Sequence, residues 1–201
     1  AANAEAAVVQ KQKDECEADL AVAIPILEKA LAALNTLTKD DFNLVRSFSN
    51  PPHGVRLALA AVCVMLEQKP DKVKDPEGGL KKVEDYWGPG KRLLGDVKGF
   101  MGSLVSYDRD NIKPRVMAKI RKTYIPDPEF EPERVAKAAA AAAGMASWVH
   151  AMSAYDNVAK VVAPKRALLA EAEAALETKM GALREKQAEL KKVEDELGEL
   201  Q

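Results

Sequence analysis

Carboxylates and lysines are numerous in this sequence and histidine and cysteine scarce, but none stands at a spacing that would carry out chemistry. Gly88-Pro89-Gly90-Lys91 invites comparison with a phosphate-binding loop, in which backbone N–H groups cradle phosphates, the lysine reaches them and a Ser or Thr holds magnesium. Here Asp85 stands where the first glycine is needed and Arg92 where the hydroxyl residue is needed, so the motif fails at both ends. His53 and His150 are the only histidines, and Cys16 and Cys63 the only cysteines. No His-Glu-x-x-His run and no closely spaced cysteine pair offers a metal its ligands. His53 follows two prolines in a turn and reads as structural, and His150 reads as an ordinary helix residue. Both cysteines are expected to be reduced and buried, as suits a reducing compartment. The carboxylates are scattered as solvated faces. No catalytic site, cofactor or metal is expected, so the function must reside in a surface and in the elements that present it.

Those elements are helical by composition. Of the 201 residues 47% are hydrophobic and only 5% aromatic, with Ala, Leu, Glu and Lys dominant, a mixture typical of long helices and coiled coils. From Leu20 the apolar residues fall at Leu20, Ile24, Leu27, Leu31 and Leu34, the a/d spacing of a coiled coil. Upstream the seam passes through Cys16, Lys13 and Val9, so two four-residue steps meet around Leu20, and such a discontinuity locally unwinds a supercoil. The closing segment is more regular: Val158, Val162, Lys165, Leu169, Ala172, Leu176, Lys179, Leu183, Lys186, Leu190, Val193, Leu197 and Leu200 alternate steps of four and three. Lysines at three of those positions are expected to weaken pairing and to leave the register poorly specified. Pro25 and Pro164 interrupt the two arms and are expected to kink them. Neither apolar stripe is stable alone, and because the chain reverses between them the arms should pair antiparallel. The sequence ends inside its heptad pattern and does not begin with Met, which reads as a piece of something longer.

Between the arms the pattern breaks into short helices with strong stops. Thr38 is a plausible N-cap followed by Asp40 and Asp41, and a helix carrying Phe42, Val45 and Phe48 ends before Asn50-Pro51-Pro52. A second helix from about Gly54 to Gln68 should bury Val55, Leu59, Val62, Cys63 and Leu66. Lys69 to Gly90 holds three prolines and four glycines, and Lys72-Val73-Lys74 and Lys81-Lys82-Val83 flank the turn residues Pro76-Glu77-Gly78-Gly79. That arrangement suits either a short β-hairpin flap or a solvated, mobile loop. Helical pattern resumes over Lys91–Phe100, Ser103–Tyr107 and Pro114–Tyr124. After a linker containing Pro126 and Pro132, one long helix is expected to run from about Pro132 into the second arm, packing Trp148, Met152 and Tyr155 inward. Charge is divided between the parts. Residues 1–37 and 158–201 carry 11 Lys/Arg against 15 Asp/Glu, and residues 38–157 carry 19 against 16, so the middle is mildly basic and suits an acidic partner. No run of eighteen apolar residues and no signal-peptide pattern is present. Neither a membrane nor a nucleic acid is expected as partner.

The run Leu44-Val45-Arg46-Ser47-Phe48-Ser49-Asn50-Pro51-Pro52, with Val55 and the helix ending Val62-Cys63, resembles the microtubule-binding domain of dynein heavy chains. So do Asp85-Tyr86-Trp87-Gly88-Pro89, Tyr107-Asp108 with Asp110-Asn111-Ile112, and Val161-Val162-Ala163-Pro164-Lys165, all in the family's order. The resemblance implies an all-α fold, an antiparallel two-helix coiled-coil stalk capped by a small helical-bundle tip with a short β-hairpin flap. The arms would be residues 1–37 and 158–201, and the tip 38–157 with its flap at about 69–90. It implies a microtubule (α/β-tubulin) and the remainder of a dynein heavy chain as partners, with the motor's ATPase ring lying outside this sequence. Microtubule contacts, carried over by position, would fall to Lys39 and Arg46 in the first tip helix, Lys98 near the third and Lys137 in the sixth. The flap resembles that of single-headed inner-arm axonemal dyneins, implying an axonemal location and contacts to a neighbouring protofilament from Lys72, Lys74, Lys81 and Lys82. In the family the stalk helices slide by half a heptad, roughly 5 Å, to couple the ring's nucleotide state to tip affinity. Two other readings use the same hairpin: a scaffold or tether whose tip binds another acidic protein, and a dimerisation hinge.

Overall fold

The computed structural model describes residues 2–199. Its elements, in order, are α1 (Ala2–Asn35), α2 (Lys39–Ser47), α3 (His53–Met65), β1 (Asp71–Lys74), β2 (Lys82–Asp85), α4 (Trp87–Leu94), α5 (Val97–Val105), α6 (Pro114–Lys119), α7 (Pro132–Ala136) and α8 (Ala140–Glu199). Single 3₁₀ turns at Arg109–Asn111 and Pro128–Phe130, and a π-helical segment at Ile120–Tyr124, complete them. The chain divides into two compact units, Val22–Asn157 and the flanking stretches Ala1–Ala21 with Val158–Gln201. Helix is the dominant structure, and the one sheet among the described residues is a two-stranded antiparallel pair.

In the flanking unit two helical segments run antiparallel. Lys165 Nζ donates to Asp19 Oδ2 at 3.2 Å and Lys179 Nζ to Glu5 Oε1 at 2.9 Å. Asp19 and Glu5 are 14 residues apart, as are Lys165 and Lys179, in reversed order, so one register holds over two heptads. Cys16, Leu20, Val162 and Leu169 are buried there. Pro25 and Pro164 each sit inside a continuous helix, on its exposed side.

The seam of α1 differs from the expected one. Its buried residues are Cys16, Leu20, Ala23, Leu27, Ala30 and Leu34, which alternate four and three without a break. Ile24 and Leu31 are only half-buried flanks. The expected discontinuity at Leu20 therefore vanishes. It arose from passing over two small alanines in favour of larger neighbours, whereas a coiled-coil seam tolerates small residues wherever helices approach closely. The lysines also behave differently from expectation. Lys165 and Lys179 lie at the rim, about half exposed, and are neutralised across the pair.

In the unit Val22–Asn157 each helix ends for an identifiable reason. Thr38 and Asp41 form a capping box: the Asp41 N–H donates to Thr38 Oγ1 at 3.3 Å, and the Thr38 N–H to Asp41 Oδ2 at 2.7 Å. Helix α3 stops at Met65, short of the expected Gln68, because Glu67 adopts a left-handed conformation with φ 56°. The Gln68 N–H then bonds Cys63 O at 2.8 Å and the Glu67 N–H bonds Val64 O at 3.1 Å, a Schellman motif without glycine. The Glu67 carboxylate accepts from Lys113 Nζ at 2.8 Å and Arg115 Nη2 at 3.0 Å, which holds its pKa below the usual carboxylate range. Leu66, expected to be buried, is half exposed as the chain turns away.

Two further boundaries correct the expected ones. The segment Lys91–Phe100 is not one helix: it breaks at Gly95-Asp96, where the Asp96 carboxylate accepts the Gly99 N–H at 3.1 Å and starts α5. The long final helix does not begin at Pro132, because α7 ends at Ala136 and α8 starts only at Ala140. The core gathers Phe42, Val45, Leu59, Leu94, Phe100, Met145 and Trp148, all buried. Phe42 meets Phe100 edge-on at 5.9 Å and Tyr107 meets Trp148 edge-on at 5.2 Å, geometries that aromatic quadrupoles favour. Arg121 reaches α8, donating to Ser153 O at 3.0 Å and to Asp156 Oδ2 at 3.0 Å.

Gly88-Pro89-Gly90 forms the first turn of α4 rather than a loop. Gly90 is buried, and a Cβ there would collide with the Leu59 side chain of α3. We predict that Gly90→Ala lowers stability by about 1–3 kcal/mol through overpacking, measured by thermal or denaturant unfolding of the chain.

Candidate partner-binding surface

Helix α2 buries Phe42 and Val45, which turns Lys39, Asn43 and Arg46, spaced four and three apart, to the outside as one stripe. Lys39 and Arg46 are exposed and make no ion pair among the described residues. Beside the stripe lies α4, fixed against α3 through Gly90. Between α2 and α4 runs an open groove of about 560 Å³ lined by Asn43, Arg46, Ser47, Gly88, Lys91 and Arg92, among others. Three cations thus face one cleft. Arg92 is committed in part: its Nη1 and Nη2 donate to the two carboxylate oxygens of Asp71 at 3.1 and 3.0 Å, and these bonds raise its pKa. Both partners are largely exposed, so the pair orients more than it stabilises.

No group of three or more His, Cys, Asp or Glu residues able to hold a metal occurs among the described residues. His53 Nε2 lies 3.1 Å from Asp127 Oδ2. The Asp127 pKa is lowered first by the Glu129 N–H and then by His53. This contact ties the Pro128–Phe130 turn to α3. His150 Nε2 lies 3.2 Å from Phe130 O and its ring stacks on Phe130 at 4.8 Å. Both histidines thus have structural partners. Burial pushes the Cys63 thiol up to about 12, so it carries almost no thiolate at neutral pH. The arrangement presents three cations to one open cleft.

A family model described as "Microtubule-binding stalk of dynein motor" matches residues 2–201. The chain belongs to that family. Human dynein axonemal heavy chain 3 is 50% identical over 196 residues, which is 98% of this stalk domain and 5% of the relative. Human dynein axonemal heavy chain 1 is 42% identical over 200 residues, 100% of the domain and 5% of the relative. The flagellar outer arm dynein beta chain of Chlamydomonas reinhardtii is 38% identical over 164 residues, 82% of the domain and 3% of the relative. The stalk domain therefore spans about a twentieth of the length of these heavy chains. A solved structure titled "Microtubule Binding Domain of DYNEIN-C" superimposes with a TM-score of 0.62 at 45% identity, covering 75% of this domain and 95% of that chain.

Within the stalk domain the expected contact residues are dispersed. Arg46 shares the groove with Lys91 and Arg92, and Lys39 shares the α2 stripe with Arg46. Lys98 stands exposed in the first turn of α5, one helix past α4, and Lys137 is exposed at the end of α7. Neither lines the groove. Sequence reasoning put Lys91 and Arg92 on a helix but not among the contact residues, because nothing local shows that this helix packs beside α2 and Arg46.

The flap is an ordered hairpin, pairing Asp71 with Asp85, Lys72 with Glu84, Val73 with Val83 and Lys74 with Lys82. Lys72 Nζ meets Glu84 Oε1 at 3.4 Å, while Lys74 and Lys82 stand directly opposite one another. Like charges across a strand pair cost stability, so this pair keeps positive charge where the sheet alone would disfavour it. At the hairpin's base Asp85 Oδ2 accepts the Gly88 N–H at 3.2 Å, and Lys119 Nζ donates to Tyr86 Oη at 2.7 Å while sitting 4.9 Å from the ring centroid. We predict that Cys63 stays unlabelled by a thiol reagent at pH 7–8 in the native protein and reacts at once after denaturation; rapid native labelling of Cys63 would show that α3 and α4 open there.

Proposed function

We propose that this stalk domain binds microtubules through the basic face of α2 and α4, as part of an axonemal dynein heavy chain. The observation that carries the reading is the set of uncommitted cations, Lys39, Arg46 and Lys91, presented by two helices of a microtubule-binding family. Tubulin's outer surface is acidic, and complementary charge accelerates and orients such encounters. Lys98 and Lys137 extend the contact beyond the groove, and Lys74, Lys81 and Lys82 of the flap, with Lys72 at its edge, reach a neighbouring protofilament. The tip comprises residues 38–157 and the arms residues 1–37 and 158–201. The parent protein works in the axoneme of a cilium or flagellum, a reading supported by the similarity to axonemal and flagellar heavy chains.

The arms transmit the nucleotide state of the parent motor's ATPase ring by sliding half a heptad against one another, with Pro25 and Pro164 as the points where they bend. The small residues of the flanking unit support this. Ala172 and Ala175 with Val8 and Val9 line an open apolar groove of about 400 Å³, where little side-chain bulk opposes a shift.

Microtubule co-sedimentation tests the surface. At low salt, Lys39→Ala, Arg46→Ala and Lys91→Ala should each weaken binding by about three- to tenfold, with the wild-type advantage shrinking as salt rises. Binding that resists all three substitutions removes the assigned face. Replacing Lys74, Lys81 and Lys82 together by Ala should lower affinity for polymerised microtubules more than for single protofilaments. Disulfides locking two registers should yield different affinities, and equal affinities would end the sliding mechanism.

A further inference from the structure

We infer that the two cross-arm ion pairs, Asp19–Lys165 and Glu5–Lys179, form a register key for the flanking unit: they select the observed alignment over its half-heptad neighbours, with a preference that differs by direction. The inference rests on the sliding mechanism proposed above for its functional meaning, and on the geometry alone for its structural content.

The apolar seam cannot choose a register well. Its repeat is near-periodic, its contacts are non-directional, and Val8, Val9, Ala172 and Ala175 line an open groove. Two ion pairs join the segments across this unit, at 3.2 and 2.9 Å. They sit two heptads apart on both segments, so a shift strains both together. Sliding by three or four residues in one direction brings Lys165 opposite Val22 or Ala23 and Lys179 opposite Val8 or Val9. Both lysines then face apolar side chains and no carboxylate. Sliding the other way carries Lys165 to Glu15 while Lys179 loses Glu5. One direction loses two pairs, and the other loses one and exchanges one.

Each pair is about half exposed, with side chains 42–59% accessible, so each contributes modestly. Modest terms suffice where two registers are close in free energy. Losing both pairs should move the register ratio by about three- to tenfold.

Cysteine reporters read the register directly. In a Cys16→Ala background, Gln12→Cys with Ala172→Cys oxidises in the observed alignment, and Gln12→Cys with Leu176→Cys after a slip of four residues. The double reversal Lys165→Glu with Lys179→Glu should raise the ratio of slipped to observed cross-link by about three- to tenfold. Adding Asp19→Lys and Glu5→Lys should restore the original ratio. High salt should mimic the reversal in the wild-type arms and leave the uncharged quadruple alanine variant unmoved. A cross-link ratio unaffected by reversal overturns the key, and so does a reversal that the complementary swap fails to rescue. Microtubule co-sedimentation of the same variants separates the two ideas. A register that shifts while affinity stays constant upholds the key and overturns the coupling of register to affinity.

Discussion

The close approach of α4 to α3 at Gly90 governs the surface of the unit Val22–Asn157. With no side chain at Gly90, α4 lies directly on Leu59, and the buried Leu94 at its far end completes the contact. That seating turns Lys91 and Arg92 toward α2, where Phe42 and Val45 have already fixed Arg46 outward. Arg92 in turn holds Asp71, the first residue of β1, so the base of the flap takes its place from the same helix. A basic groove and a hairpin beside it follow from one van der Waals constraint. Electrostatics alone would not assemble them, since like charges repel unless the backbone beneath them is held.

The flanking unit obeys a different balance. Small residues there line an open groove, and two ion pairs at the rim join the segments. A tightly packed coiled coil resists any shift, because each knob must leave its hole. Exposed charge pairs cost little to break, so the proposed sliding would separate cohesion and mobility into different interactions.

Much of this was legible in the amino-acid sequence. The coiled-coil period, the Thr38 cap, the hairpin flanked by lysines and the Arg46-to-Pro52 run each depend on neighbours within a few residues, where local propensity and steric rules act directly. The misplaced features share a cause of another kind. Ala23 and Ala30 carry too little apolar signal to outrank Ile24 and Leu31, although packing selects them. Glu67 ends α3 in a conformation normally given to glycine, and its carboxylate pairs with Lys113 and Arg115, far along the chain.

Local rules, then, determined that this chain makes two heptad-patterned arms around a mildly basic set of short helices and a flap. Composition and period act through contacts each residue makes with its own turn, and these need no knowledge of the rest of the fold. Only the tertiary structure decided that Gly90 belongs to a helix, that Lys91 joins Arg46 while Lys98 stands apart, and that Lys165 and Lys179 are paired rather than disruptive. Each of those outcomes depends on which distant side chain arrives alongside, a property of packing and register that the spacing of residues along one strand of sequence does not contain.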